Sequence, residues 1–262
     1  MSTNKALIVL QENSGRVALP GGVPAPLSDA IFAVIDQLAE TFEDIKTTLQ
    51  SANRYDVVHL LSDNLCSRSQ LLNALLTETQ RNRIIDLIVL GHGSNETLMM
   101  KKLPHLSGGA SGNIRKLLPD AQRLGVNKLN LRMVYMCNCY GSTLNDDWIA
   151  IGAKASVGSK MNDYMPEPMT TFFIHNWLKG QKVRDAARNA YQATIPFYMA
   201  VYPPTTRIRY KTIKVPYPCP TWTDPLKMCE RELQVPDGVD LITNSKIVET
   251  ELLVRGNGNT VF

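Results

Sequence analysis

The chain has 262 residues, 44% of them hydrophobic and 20% charged, with a formal net charge of +4 spread along its length. Those figures exclude a disordered or highly charged tail protein and allow one α/β domain with an appendage and a substantial core. The apolar run Ala6–Leu10 is too short for the core of a signal peptide, and nothing approaches a membrane-spanning length. The five cysteines, Cys66, Cys137, Cys139, Cys219 and Cys229, form no regular framework. An odd count without a signal peptide leads us to expect reduced thiols and a cytoplasmic location. Cys219 and Cys229 could pair, bind a metal, or stand as two unrelated thiols.

In chain order, apolar runs of strand length alternate with helical patterns, which predicts βαβ units around a mostly parallel sheet. The first run is Ala6–Leu10. A Gly/Pro-rich loop from Gly15 to Pro26 comes next, and then a helix with Ile31, Val34, Ile35, Leu38 and Phe42 on one face and Ser28 as its N-cap. Val57–Leu61 is the second strand, with a helix around Leu71, Leu72, Leu75 and Leu76. The third is Ile84–Leu90, stopping at Gly91-His92-Gly93-Ser94. An amphipathic segment, Ile114–Leu124, precedes the fourth run, Leu129–Met136, which stops at Cys137-Asn138-Cys139-Tyr140-Gly141. Ala153–Gly158 is the fifth, leading to a helix from about Pro168 to Thr194.

Beyond Ala200 the prolines 203, 204, 216, 218, 220 and 225 interrupt helical patterning. Thr206–Val215 and Lys246–Val254 alternate as strands do. The expected organisation is a domain over residues 1–200 and, over 201–262, an edge strand with a small β-rich appendage. Arg207-Ile-Arg-Tyr-Lys211 alternates basic with apolar residues and reads as a solvated strand face rather than a nucleic-acid stripe. Neither a nucleic acid nor a membrane is expected as a partner.

Reacting groups in open parallel sheets gather at the carboxyl ends of the strands. Two strand ends here carry the residues of nucleophilic catalysis: His92 ends the third strand and Cys139 the fourth. Adjacent strands lie ~4.8 Å apart, so the two side chains can meet across one crevice. A thiol is only slightly ionised at neutral pH, and an imidazole can activate it and later protonate a leaving amine. Gly93 and Cys139 offer backbone N–H groups to an oxyanion, and Gly141 permits a tight turn.

The other residue types that could carry chemistry read as structural. His59 lies in a strand, His175 in a helix and His105 in a loop. Cys137 sits within the strand, where it is expected to pack in the core, whereas Cys139 is expected to be exposed at the turn. The Cys-x-Cys spacing is not that of a zinc site, and no second ligand cluster accompanies it, so no metal or other cofactor is expected. Gly108-Gly-Ala-Ser-Gly112 lacks the phosphate-loop pattern and reads as a flexible connection. The missing Gly-rich turn after the first strand likewise disfavours a nucleotide-binding domain.

The blocks Leu87-Ile-Val-Leu-Gly-His-Gly-Ser94 and Val134-Tyr-Met-Cys-Asn-Cys-Tyr-Gly-Ser142 resemble those of the caspase-like (clan CD) cysteine peptidases. That superfamily includes caspases, gingipains, clostripain, legumains and CHAT domains. Tyr55-Asp-Val-Val-His-Leu-Leu-Ser-Asp63 resembles the strand before their histidine block. Gly152-Ala-Lys-Ala-Ser-Val-Gly-Ser159, with the helix ending Leu178-Lys-Gly-Gln-Lys-Val-Arg-Asp-Ala-Ala187, resembles the strand and helix after the nucleophile in CHAT domains. The likeness covers roughly residues 5–195, and the spacing of His92 from Cys139 is close to the ~50 residues of caspases. It departs at Asn138, where the family usually has Ala or Ser, and at Tyr140-Gly141.

The resemblance implies an αβα sandwich and a peptidase with a His92/Cys139 dyad acting on protein or peptide substrates. Many relatives cut after Arg or Lys, using an acid in the receiving pocket. The loop Lys160–Pro168 at the end of the fifth strand carries Asp163 and Glu167, with Tyr164 beside the former. These are the candidate substrate-binding acids, Asp163 before Glu167, although a solvated loop with ordinary surface acids reads equally well. The alternative to a peptidase is an interaction module of the same fold without catalysis.

Overall fold

In a computed structural model the described residues are 4–12, 54–163, 168–201, 205–218, 228–242 and 245–262. The helix expected over Ile31–Phe42, its cap Ser28 and the Gly15–Pro26 loop lie outside them. So do Tyr164, Glu167 and Cys219.

A six-stranded sheet forms the centre. Its strands are β1 (Lys5–Gln11), β2 (Val57–Ser62), β3 (Ile84–Leu90), β7 (Leu131–Cys137), β8 (Ala155–Ser159) and β11 (Leu252–Gly256), in the order β11-β8-β7-β3-β1-β2. All neighbours run parallel except β11, which is antiparallel to β8. A parallel sheet covered on both faces needs apolar side chains on both, which is why β1, β3 and β7 read as largely apolar runs, interrupted only at Asp86 and Arg132 beyond their end residues. Every residue of β7 is buried, as are all but the first of β1 and of β3.

Alternate strand residues feed two cores. Ile8, Leu10, Leu87 and Val134 pack on one side with Leu71 and Leu75 of α1 (Arg68–Gln80), Leu117 and Ala121 of α2 (Leu117–Arg123), and Trp148 of α3 (Asn145–Ala150). Leu7, Val9, Met133, Tyr135 and Cys137 pack on the other with Phe173 and Trp177 of α4 (Met169–Leu178) and Ala186 and Ala190 of α5 (Val183–Val201). The α/β sandwich with a mostly parallel sheet, expected from the alternation of runs, is the architecture found. Ser67 caps α1, its hydroxyl accepting the Gln70 N–H at 3.3 Å.

Several expectations give way. The helix expected from Pro168 to Thr194 is two helices, because the chain turns at Gly180 with φ +82, a conformation that glycine adopts without strain. Thr205–Pro218 (β9) lies in a separate two-stranded sheet. It pairs antiparallel with Met228–Ile242 (β10), a strand its residue pattern does not predict, with a bulge between Pro236 and Gly238. The run Lys246–Val254 divides into α6 (Ser245–Glu249) and β11, which supplies the edge. Three two-residue strands, β4 (Gly93–Ser94), β5 (Thr97–Leu98) and β6 (Leu106–Ser107), form a small meander directly after His92.

A buried polar cluster sits near the amino ends of the strands. Asp86 of β3 is fully buried and accepts bonds from Arg132 Nε of β7 at 2.9 Å, Tyr55 Oη at 2.7 Å and Trp177 Nε1 at 3.2 Å. The Arg132 guanidinium lies 5.1 Å from the centre of the Trp177 ring and 4.9 Å from that of Phe262. The phenol of Tyr55 is driven well above its ordinary pKa by burial and by the Asp86 charge. Removing one partner of such a pair leaves an uncompensated buried charge, which costs about 3–5 kcal/mol. Arg132→Leu should therefore lower unfolding free energy by about 3 kcal/mol or more in urea titrations. A loss under about 1 kcal/mol would show that Asp86 finds other compensation.

Candidate active site

β3 and β7 are neighbours in register, Leu90 opposite Cys137, so the chain leaves both strands at the same edge of the sheet. His92 and Cys139 each come two residues later. The two turns touch: a Cβ on Gly93 would strike the Asn138 Nδ2 atom and lie 2.5 Å from the Cys139 carbonyl oxygen. Only a residue without a side chain permits that approach. Sequence reasoning assigned Gly93 an oxyanion N–H; the structure adds that its missing side chain lets the histidine and cysteine turns meet.

The histidine turn is held from two sides. Glu12, the residue after β1, accepts the His92 N–H on Oε2 at 3.1 Å, and the His92 carbonyl accepts Met99 N–H at 2.9 Å. Glu12 was missed from the sequence, although its place at the carboxyl end of a strand next to β3 was a usable signal.

The cysteine turn is built around Asn138, which is buried. Its Nδ2 donates to the Cys139 carbonyl at 2.9 Å, and its own carbonyl accepts the Ser159 hydroxyl at 2.6 Å. Tyr140, not Gly141, takes the left-handed conformation, with φ 58 and ψ 22, and its N–H donates to the Met161 carbonyl at 2.5 Å. Gly141 serves close packing instead. A Cβ there would be 3.2 Å from the Gly158 Cα and from Asn138 Oδ1, and one on Gly158 would strike the Gly141 backbone. The two glycines let the cysteine turn lie against the end of β8.

Cys137 closes β7, packed in the second core as expected, whereas Cys139 is half-buried rather than freely exposed. Burial pushes the Cys139 thiol above its ordinary pKa and the Asp163 carboxylate adds to this, opposed by the Asp163 N–H, which donates to Sγ at 3.4 Å. The Asp163 Oδ2 lies 3.7 Å from the Cys137 sulfur. Asp163 is thus brought to the two thiols, while Glu167 falls outside the described residues. The loop carrying Asp163 is fixed from behind, Lys160 N–H and Met161 N–H donating to the carbonyls of Glu251 and Glu249, each at 2.8 Å.

The remaining histidines are elsewhere engaged or exposed. His59 bonds Glu78 at 2.9 Å, His105 Nδ1 accepts Met100 N–H at 3.0 Å, and His175 is exposed on α4. The Gly108–Gly112 stretch is fastened rather than flexible: Gly109 N–H is taken by Asp147 at 3.1 Å and Ser107 N–H by Asn113 at 2.8 Å. Among the described residues no three His, Cys, Asp or Glu side chains gather to hold a metal, and no helix is long and apolar enough to cross a membrane.

No protein-family model matches the chain, and no curated protein matches it. Among solved structures it is similar to the Arg-specific cysteine proteinase gingipain R, at 13% identity and a TM-score of 0.45 over 99% of this chain and 66% of that one. It is similar to a secreted C11 cysteine protease from Bacteroides thetaiotaomicron at 11% identity and a TM-score of 0.42, over 74% of this chain and 59% of the other. The complex of the pro- and mature domains of the Porphyromonas gingivalis gingipain matches at 13% identity and a TM-score of 0.43, over 99% and 67%. The chain thus spans about two thirds or less of the length of each.

The half-buried thiol gives a direct expectation. In a His92→Ala variant, alkylation of Cys139 by uncharged iodoacetamide should rise with pH and reach half its plateau above the midpoint of glutathione measured alongside. A midpoint at or below that of glutathione would mean that the burial of the thiol does not govern its ionisation.

Proposed function

We propose that the chain is a cysteine endopeptidase with Cys139 as nucleophile and His92 as its proton-transfer partner. The observation that carries this reading is the meeting of the Gly93 and Cys139 turns at the carboxyl ends of adjacent parallel strands. On this reading His92 takes the thiol proton as sulfur attacks the scissile carbonyl, and the oxyanion is received by the N–H groups of Gly93 and Cys139. His92 then gives that proton to the departing amine, leaving a thioester. Water, deprotonated by the same imidazole, releases the acid and restores the thiol. A thiol held protonated by burial needs such a base at neutral pH. The odd count of cysteines in the sequence supports the proposed reducing, cytoplasmic setting.

The raised thiol pKa also favours the second reading, an interaction module without catalysis. Substitution separates them. Cys139→Ala should abolish peptide hydrolysis, lowering kcat/KM by roughly 10³-fold or more, while Cys137→Ala leaves most of it. An inactive, folded Cys137→Ala with an active Cys139→Ala would overturn the assignment of the nucleophile. Absence of hydrolysis in the parent protein, with Cys139 labelling indifferent to His92→Ala, would favour the module.

For specificity we propose that Asp163 favours a basic residue before the scissile bond. Its support is that the Asp163 N–H lies against the Cys139 sulfur while its carboxylate, 3.7 Å from the Cys137 sulfur, is near enough for its charge to act on the Cys139 thiol, so that a guanidinium reaching it would form a charge-assisted pair. Fluorogenic peptides differing only at that residue test it: Arg or Lys should be preferred, and Asp163→Asn should remove the preference. An Asp163→Asn variant that still prefers Arg would sink the idea.

A further inference from the structure

One side chain outside the pair bonds to both turns. Thr143 lies half-buried in the 3₁₀ turn Gly141–Leu144. Its hydroxyl donates to the Tyr140 carbonyl at 2.7 Å and accepts the Glu96 N–H at 2.9 Å. Tyr140 is the residue after the nucleophile. Glu96 is in the tip of the β4–β5 hairpin, in which Ser94 faces Thr97 and Gly93 faces Leu98, so the hairpin begins immediately after His92.

The two bonded positions are the ones that need holding. Tyr140 has φ 58 and Glu96 φ 52, left-handed conformations that are unfavourable for a residue with a side chain. Such conformations persist only where the surroundings impose them. Tyr140 is gripped by its N–H to Met161 on one side and by Thr143 on the other. Glu96 is gripped by Thr143 through its N–H and by Gly108 N–H, at 2.8 Å, through its carbonyl.

The hairpin therefore lies along the nucleophile turn, its base packed on the Cys139 carbonyl at Gly93 and its tip pinned at Thr143. Met99 N–H reaches back to the His92 carbonyl, so the foot of the hairpin is the backbone of His92 itself. Without the Thr143 bond the tip keeps only its Gly108 N–H, and the hairpin that starts at His92 loses its side-chain tie to the chain after Cys139.

We propose that Thr143 is a positioning residue for the His92/Cys139 pair, tying the chain after the histidine to the chain after the cysteine through one hydroxyl that donates and accepts at once. The proposal rests on the pair proposed above. It requires the hydroxyl rather than the shape. Thr143→Val keeps the methyl and the volume but leaves the Glu96 N–H and the Tyr140 carbonyl each one partner short, whereas Thr143→Ser keeps both bonds.

The test measures iodoacetamide labelling of Cys139 across pH, located by peptide mapping, in the parent protein and in the Thr143→Val, Thr143→Ser and His92→Ala variants. Hydrolysis is read as kcat and KM separately, and thermal melts check folding. Thr143→Val should shift the pH profile of labelling toward that of His92→Ala and lower kcat about tenfold, with KM within about twofold. Thr143→Ser should stay within about twofold of the parent in both. A Thr143→Val variant matching the parent while His92→Ala is slowed would overturn the role of Thr143 and leave the pair standing. Thr143→Ser impaired as much as Val would show that the hydroxyl is not the link. Labelling indifferent to His92→Ala would remove the pair and with it anything for Thr143 to position.

Discussion

The register between β3 and β7 is the constraint on which the site depends. Strand pairing has a side-chain period of two, so a slip of one residue would exchange the two cores and turn Cys137 from one face of the sheet to the other. The pairing shifts by one residue between Ile85 and Asp86, where the fully buried Asp86 reaches across to Arg132, and from there it runs regularly to Leu90 opposite Cys137 at the carboxyl ends. A slipped pairing would leave Asp86 or Arg132 charged and alone in an apolar interior. That penalty makes the buried pair a device for specifying one alignment, a use better attested for buried ion pairs than net stabilisation. The same ion pair that contributes little net energy thereby decides where His92 and Cys139 emerge.

From that edge outward the site is built by backbone groups. Tyr140 N–H reaches Met161, the Asn138 carbonyl receives Ser159, and the Asp163 N–H reaches the Cys139 sulfur. The cysteine turn is thus stitched to the loop after β8, and that loop is stitched to Glu249 of α6 and to Glu251, the residue before β11. Side chains contribute mostly by being absent, as at Gly93, Gly141 and Gly158, where close approach is the requirement. A small, rigid arrangement of this kind keeps the thiol from relaxing into solvent, and the resulting desolvation is what holds it protonated.

These facts explain what the sequence made legible. Parallel strands buried on both faces are largely apolar, so β1, β3 and β7 stood out as runs, and the residues just beyond β3 and β7 stood out with them. Continuous helical patterning across residues 168–194 hid the break at Gly180, because both helices turn an apolar face to the same core. Lys246–Val254 alternated well enough to pass for a strand although its first part is helical. β10 escaped notice because charged residues and Pro236 interrupt its pattern. Glu12 and Thr143 carry no motif: Glu12, marked only by its place at a strand end, accepts the His92 N–H, and Thr143 accepts the Glu96 N–H and donates to the Tyr140 carbonyl. Such contacts have no period and no motif.

Asp163 joins the electrostatics of the thiol to the proposed choice of substrate. Burial raises the Cys139 thiol pKa and the Asp163 carboxylate adds to it, so the resting protein disfavours the thiolate. The Asp163 N–H, aimed at the sulfur, does the opposite and remains in place whatever the carboxylate is doing. On the proposed reading, a guanidinium or ammonium arriving with the substrate neutralises the carboxylate and leaves the N–H. The cation that is recognised then also lowers the cost of forming the thiolate. Recognition and activation become one event, because interactions that act only with the correct substrate bound raise kcat rather than merely lowering KM. It follows that loss of the Asp163 charge should cost Arg and Lys substrates more in kcat/KM than it costs neutral ones, since neutral substrates never had the carboxylate cancelled.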